Sequence, residues 1–317
     1  MKVTHQVKEN KSNLEEVLTN EDFEKLYHLS RKNPGKKTRK IIIALAKGGV
    51  GKTTTAANLA HGLTLEGRKV LLVDTDRQGQ VKNILGVNPL FGTYEFTNPD
   101  EAKRKPLKDV IDIDPKRPLL HFLGSSETID YWETKAKDLS QSAENELNPF
   151  FKYEIFINSF AKIEDNYDYI IFDTSPHLGL IANNALFYAD EILAPYFLSP
   201  MTEESLETFL KRHLQIVQQR NRMKMPPLKF KYILPTFKDN TLEAREQFRE
   251  LEALCQILGE KEDQIEELKQ IRVVPPIPTN VKIKQLAGKG KTIFEHAPVS
   301  AGGQAYGILV EEVLKDE

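Results

Sequence analysis

The chain has 317 residues, 40% hydrophobic and 28% charged, the balance of a globular protein with room for one large or two ordinary domains. Its single cysteine, Cys255, excludes an intrachain disulfide and any thiolate cluster of the iron–sulfur or Cys-rich zinc kind. A net charge of −2 selects no class of partner; the longest apolar runs fall far short of the roughly 20 residues that span a bilayer, and the polar start Met1 to Gln6 lacks a secretory signal, so a cytoplasmic location without membrane attachment is expected.

Residues 1–38 are predicted to form a helical extension and a basic linker. Thr19 or Asn20 can cap a turn in which Phe23, Leu26, Tyr27 and Leu29 follow at helical spacing. Asn33-Pro34-Gly35 ends it, and Lys36, Lys37, Arg39 and Lys40 lead into the first strand. The helix reads equally as a cap docked on the larger domain or as an arm for a partner. Residues 39–317 alternate short β-branched runs with longer helical stretches, the mark of βαβ units around a parallel sheet. Strands are predicted at 40–46, 69–74, 119–124, 168–173, 191–197, 229–234 and 271–274, and helices at 53–66, 149–164, 203–222, 242–258 and 302–315. The near-continuous apolarity of the strands implies burial on both faces. Between Leu85 and Leu119, with Pro89, Pro99, Pro106, Pro115 and Pro118, no periodicity emerges and an irregular insertion is expected.

The strongest chemical signal is Lys47-Gly48-Gly49-Val50-Gly51-Lys52-Thr53-Thr54, placed after an apolar strand and opening a helix. Its glycines let consecutive N–H groups turn toward a phosphate, and the helix N-terminus adds donors and dipole. Lys52 is then the cation for the β and γ phosphates of ATP, and the Thr53 hydroxyl a ligand for Mg²⁺. Two further strands end in acid: Leu71-Leu72-Val73-Asp74-Thr75-Asp76-Arg77-Gln78-Gly79, and Tyr169-Ile170-Ile171-Phe172-Asp173-Thr174-Ser175-Pro176.

Ala46 stands where a strict P-loop pattern has its first glycine, and Lys47 precedes the glycines instead. In this the segment resembles the deviant Walker A motif of the ParA/MinD family. The resemblance implies a doubly wound, mostly parallel α/β sheet of about seven to eight strands carrying a Mg²⁺-dependent ATPase. It further implies that Lys47 reaches the nucleotide of a second subunit, so that ATP closes a homodimer. By the same match Asp74 supports Mg²⁺, Asp76 orients the attacking water, Asp173 holds Mg²⁺ through water, and Pro235 and Phe237 border the adenine. Arg77, Gln80-Val81-Lys82 and Ser175 depart from the family pattern. Pro276 to Val281 and Thr292 to Tyr306 resemble its C-terminal signatures.

From Lys211 to Lys231 the basic residues Lys211, Arg212, Arg220, Arg222, Lys224, Lys229 and Lys231 meet no acid, and Lys282, Lys284, Lys289 and Lys291 form a second such cluster. Composition leaves the longer run open between a solvated helix face and a phosphate-binding surface. The resemblance implies nonspecific DNA binding in the ATP state through such residues, a ParB-like centromere-binding adaptor, and nucleoid association. The same motifs would serve a switch that positions a protein cargo. A MinD-like membrane-associated divisome regulator needs a basic amphipathic C-terminal helix, whereas the tail Gly307 to Glu317 is acidic.

Overall fold

The computed structural model describes residues 19–125, 129–141, 151–177, 179–237, 241–260, 268, 271–286 and 288–317. Eight strands form one sheet: β1 (Arg39–Ile43), β2 (Val70–Asp74), β3 (Asp112–Ile113), β4 (Leu120–Leu123), β5 (Tyr169–Asp173), β6 (Glu191–Phe197), β7 (Lys229–Thr236) and β8 (Arg272–Val273). Their order is β3-β4-β2-β5-β1-β6-β7-β8, parallel except for β3, which pairs antiparallel with β4 at the edge. Seven strands lie where the sequence places them. The eighth, β3, falls inside the expected insertion: two residues are too few to show a period.

Twelve helices accompany the sheet among the described residues: α1 (Asn20–Tyr27), α2 (Lys52–Leu65), α3 (Val81–Leu85), α4 (Thr93–Phe96), α5 (Ile129–Ser140), α6 (Phe151–Phe160), α7 (Leu180–Tyr188), α8 (Pro200–Arg222), α9 (Leu242–Glu260), α10 (Val281–Lys284), α11 (Ile293–His296) and α12 (Ala301–Leu314). None is long and apolar enough to cross a membrane. Two of the longer ones were not expected. All nine residues of α7 are buried, so it has no polar face to create an amphipathic signal. The spacing of Trp132, Ala136 and Leu139 in α5 is helical and legible, but it stands alone between segments without pattern.

Strand alternation divides the core in two. Ile42, Leu71, Val73, Ile170 and Phe172 face one layer, with Trp132, Phe156 and Phe160. Their neighbours Ile41, Ile43, Val70, Leu72 and Ile171 face the other, with Leu59, Leu63, Tyr306 and Val310 of α2 and α12. Both faces are thereby covered, as an all-parallel sheet centre requires.

The first described helix is docked rather than free. Thr19 caps it, its hydroxyl accepting from the Asp22 N–H at 3.1 Å. Phe23, Leu26 and Tyr27 pack on the first core layer, and Tyr27 stacks on His121 with ring centroids 6.0 Å apart. Lys69 Nζ then caps the helix end by donating to Tyr27 O at 2.7 Å and Leu29 O at 2.5 Å. Residues 1–18 of the expected extension lie outside the described residues.

Candidate nucleotide-binding site

β1 ends at Ile43 and the chain turns through Lys47–Gly51 into α2. Gly49 and Gly51 both take left-handed backbone, φ 74° and 90°, and Gly51 is the N-cap of α2. A side chain at Gly51 would be strained by that φ. Val50 anchors the loop from beneath: it is buried, and its carbonyl accepts from Thr236 Oγ1 at 2.9 Å. The Thr236 methyl and the Phe237 ring lie within about 4 Å of where a Cβ on Gly51 would sit. Phe237 itself has φ 54°, rare for an aromatic residue, and its ring meets Phe197 edge-on. Phe237 thus reaches the P-loop, while Pro235 lies within β7 and its carbonyl accepts from Ile277 N–H at 2.8 Å.

Lys52 opens α2 and curls back over the loop, Nζ donating to Lys47 O at 2.5 Å. It is 6% exposed, and burial lowers its pKa to about 8 against the pull of Asp173 and Asp76. The group therefore stays mostly cationic at neutral pH. Lys47, Thr53 and Thr54 are half-buried beside it, and Gly48 is exposed.

The two acidic strand ends are brought together by register, since Asp74 of β2 pairs directly with Asp173 of β5. Both are fully buried. Asp74 is occupied with its own loop: Oδ1 accepts from Asp76 N–H at 2.9 Å and Oδ2 from Val81 N–H at 3.4 Å. Neither Asp173 oxygen has a hydrogen-bond partner in the fold, although the Thr53 hydroxyl lies near enough to favour its ionised form. Burial pushes the Asp173 carboxyl up to about 7, and burial together with Asp173 raises Asp74 well above the usual carboxylate range. Asp76, half-buried, accepts from Gln78 N–H at 3.0 Å and so shapes the following turn.

An orphaned buried carboxylate beside a hydroxyl is a donor set that fits a hard divalent cation. Thr53 and Asp173 would hold Mg²⁺, with Asp74 acting on the 76–81 loop.

Sequence reasoning gave no role to the hydroxyls that fix these strand ends. Thr75 Oγ1 donates to Asp173 O at 2.6 Å and Thr174 Oγ1 to Ile43 O at 2.8 Å. Thr93, inside the expected insertion, donates to Asp74 O at 2.8 Å. Thr97 Oγ1 donates in turn to Thr93 O at 2.5 Å, and Trp132 Nε1 to Thr97 O at 2.8 Å. Threonines next to the acids were the available signal for the first pair; Thr93 and Trp132 had none.

The basic run divides. Lys211, Arg222 and Lys224 are exposed, and Arg212 is half-buried with bonds to Asn183 and Gln215. Arg220 corrects the expectation of a DNA contact: it is 2% exposed, and its guanidinium donates to Ala189 O at 2.6 Å and Leu186 O at 3.3 Å. It caps the end of α7 from inside the core, and burial lowers its pKa to about 10.

Residues 38–225 match a protein-family model described as an AAA domain. The chromosome-partitioning ATPase Soj of Thermus thermophilus is 31% identical over 281 residues, 88% of this chain and 96% of the relative. The chromosome partitioning protein ParA of Myxococcus xanthus is 32% identical over 284 residues, 87% of this chain and 88% of the relative. Among solved structures, an ATP complex of Cyanothece McdA superposes with a TM-score of 0.68 over 89% of this chain and 98% of that one; at 19% identity this is a likeness of fold. A match at 31–32% identity over most of this chain and of both relatives means that the chain belongs to the ParA/Soj family of partition ATPases.

Proposed function

We propose that this chain is an ATP-dependent dimerising switch that hydrolyses ATP with Mg²⁺ and moves plasmid or chromosomal DNA. The observation that carries the reading is the unpartnered Asp173 carboxylate, buried beside Thr53 at the mouth of a P-loop whose lysine keeps its charge. Mg²⁺ would supply charge neutralisation of the β and γ phosphates. Backbone N–H groups of residues 48–53 cradle the phosphates, Lys52 neutralises them, and Asp76 accepts a proton from the attacking water and aims it. Lys47 serves the nucleotide of the opposite subunit, so full catalytic charge assembles only when two chains close. The dimer presents its exposed basic residues, Lys211, Arg222 and Lys224 among them, to DNA phosphates, and a ParB-like adaptor stimulates hydrolysis and release. The test is turnover and sedimentation with a non-hydrolysable ATP analogue. Asp76→Ala is expected to bind nucleotide, stop hydrolysis and accumulate dimer, and Lys47→Ala to bind nucleotide as a monomer. Unchanged turnover in the first would remove the water-positioning role; an unchanged dimer fraction in the second, with unchanged turnover, would remove the trans lysine.

A further inference from the structure

Two adjacent residues of α5 bond toward the two acidic strand ends. Trp132 Nε1 donates to Thr97 O at 2.8 Å and Oγ1 at 3.1 Å, and Thr97 leads through Thr93 to Asp74 O at the end of β2. Glu133, turned roughly 100° from it around the helix, reaches α7 instead. Its Oε1 accepts the Ile181 N–H at 3.3 Å, and a Cβ on Gly179 would fall 2.4 Å from that oxygen, so the carboxylate lies against the backbone that opens α7. The helix has no such group of its own: its N-cap is Gly179 and its first turn contains no acid. A negative acceptor is what the N–H groups and dipole of a helix start favour, and here another element supplies it. With Arg220 on Leu186 O and Ala189 O, α7 is held at both ends by side chains of neighbouring helices.

The start of α7 carries the segment that follows Asp173. Thr174 Oγ1 fastens it to Ile43 O, Ser175 Oγ donates to His177 O at 2.6 Å, and Pro176 Cγ stands 3.8 Å from where a Cβ on Gly48 would be. The 174–179 segment thus rests on the P-loop, with the Asp173 carboxylate at one end and the Glu133 contact at the other. Thr75 Oγ1 already joins the end of β2 to Asp173 O, so α5 closes a second, longer connection between the same two strand ends.

We propose that Glu133 is a positioning residue for ATP hydrolysis, setting the 174–179 segment against the P-loop, and that α5 ties this setting to the end of β2 through Trp132. The proposal rests on the ATPase reading above. Its test uses the full chain with Mg²⁺ and ATP, the competent sites being counted by titration with a non-hydrolysable analogue. Glu133→Ala is expected to lower kcat per competent site about tenfold or more while KM changes less than about threefold, since a displaced segment harms hydrolysis more than binding. Glu133→Gln keeps the length and an acceptor oxygen and should return kcat to within about threefold of the parent. Gly179→Ala, whose methyl group would displace the carboxylate, should match Glu133→Ala, and the two together should lose no more than either alone. In the nucleotide-free protein the Ile181 amide should exchange its hydrogen faster in Glu133→Ala and at the parental rate in Glu133→Gln. Thr97→Val should also lower kcat, and its loss should not multiply with that of Glu133→Ala. Parental kcat in Glu133→Ala, or a loss that vanishes once divided by competent sites, would overturn the positioning role and leave the ATPase reading standing. Losses that multiply in Thr97→Val/Glu133→Ala sink the tie through α5. A parent that hydrolyses no ATP overturns the reading itself.

Discussion

The two ends of the sheet use buried charge in opposite ways. At the N-terminal ends of the strands buried charges are paired: Arg39 with Glu191 at 2.7 Å, Lys231 with Glu191 and Asp316 at 3.2 and 3.0 Å, and Arg68 with Glu317 at 2.6 Å. Burial works against the Arg39 cation, yet Glu191 beside it raises its pKa overall. The Asp168 carboxylate accepts the backbone N–H groups of Lys32, Asn33 and Lys69. At the C-terminal ends, two carboxylates sit side by side, and neither Asp173 oxygen makes a well-formed hydrogen bond although the Thr53 hydroxyl lies close by. Satisfied charge holds the first and last segments to the sheet, whereas both oxygens of the buried Asp173 carboxylate are left without a well-formed hydrogen bond.

Asp173→Asn breaks this contrast most directly. Removing the uncompensated charge is expected to lower turnover by about 100-fold or more and yet to raise the melting temperature of the nucleotide-free protein at pH 8. A fall in both, measured by hydrolysis assay and calorimetry, would mean that the carboxylate stabilises the fold. Next in size is Arg220→Ala, which strips Leu186 O and Ala189 O of their donor inside the core. It should cost about 2–4 kcal/mol in denaturant unfolding while leaving the salt slope of DNA binding untouched. Arg222→Ala, on the exposed side, should do the reverse.

The carboxylate pair also sets a pH dependence. A group raised from 3.8 to about 7 keeps its proton in the folded state after the unfolded chain has lost it, so stability of the nucleotide-free protein falls as pH rises through that window. If Mg²⁺ and ATP bind at Asp173 as proposed, its carboxyl should ionise and release a proton below about pH 7, readable by titration calorimetry in buffers of different ionisation heat. No buffer dependence would contradict the raised pKa. The smallest effect belongs to the opposite end. Hydrogen bonding from Arg68, against some desolvation, lowers Glu317 to about 2, so its contribution is present above pH 4.5 and lost as pH falls through about 2. Glu317→Gln should cost less than about 1 kcal/mol at pH 7, and nothing near pH 2.

Much of this was legible in the sequence because it is local. The P-loop is a contiguous run read against one strand and one helix, and seven strands announced themselves by β-branched apolar runs of ordinary length. What stayed hidden depends on contacts distant in sequence. Arg220 looks like any basic residue on a polar helix until its helix is laid against α7, an element buried all round and hence without a pattern. Thr93 and Thr236 bond to Asp74 O and Val50 O across 19 and 186 positions of chain. The unpaired state of Asp173 is likewise a property of what surrounds it; the motif supplied the residue and the fold supplied the lack of a partner.

The relay from Asp74 through Thr93 and Thr97 ends on Trp132, the only tryptophan in the chain and fully buried. The protein thus carries its own optical probe. Excited at the red edge of protein absorption, a single indole in an apolar pocket emits at short wavelength, free of overlap from a second fluorophore of its kind. Its N–H leads by successive hydrogen bonds to the carbonyl of Asp74, so a shift of the β2 terminus reaches the chromophore through bonded contacts. Stopped-flow emission after mixing with nucleotide can therefore report any movement of the β2 terminus in unlabelled protein, where hydrolysis assays count only completed cycles.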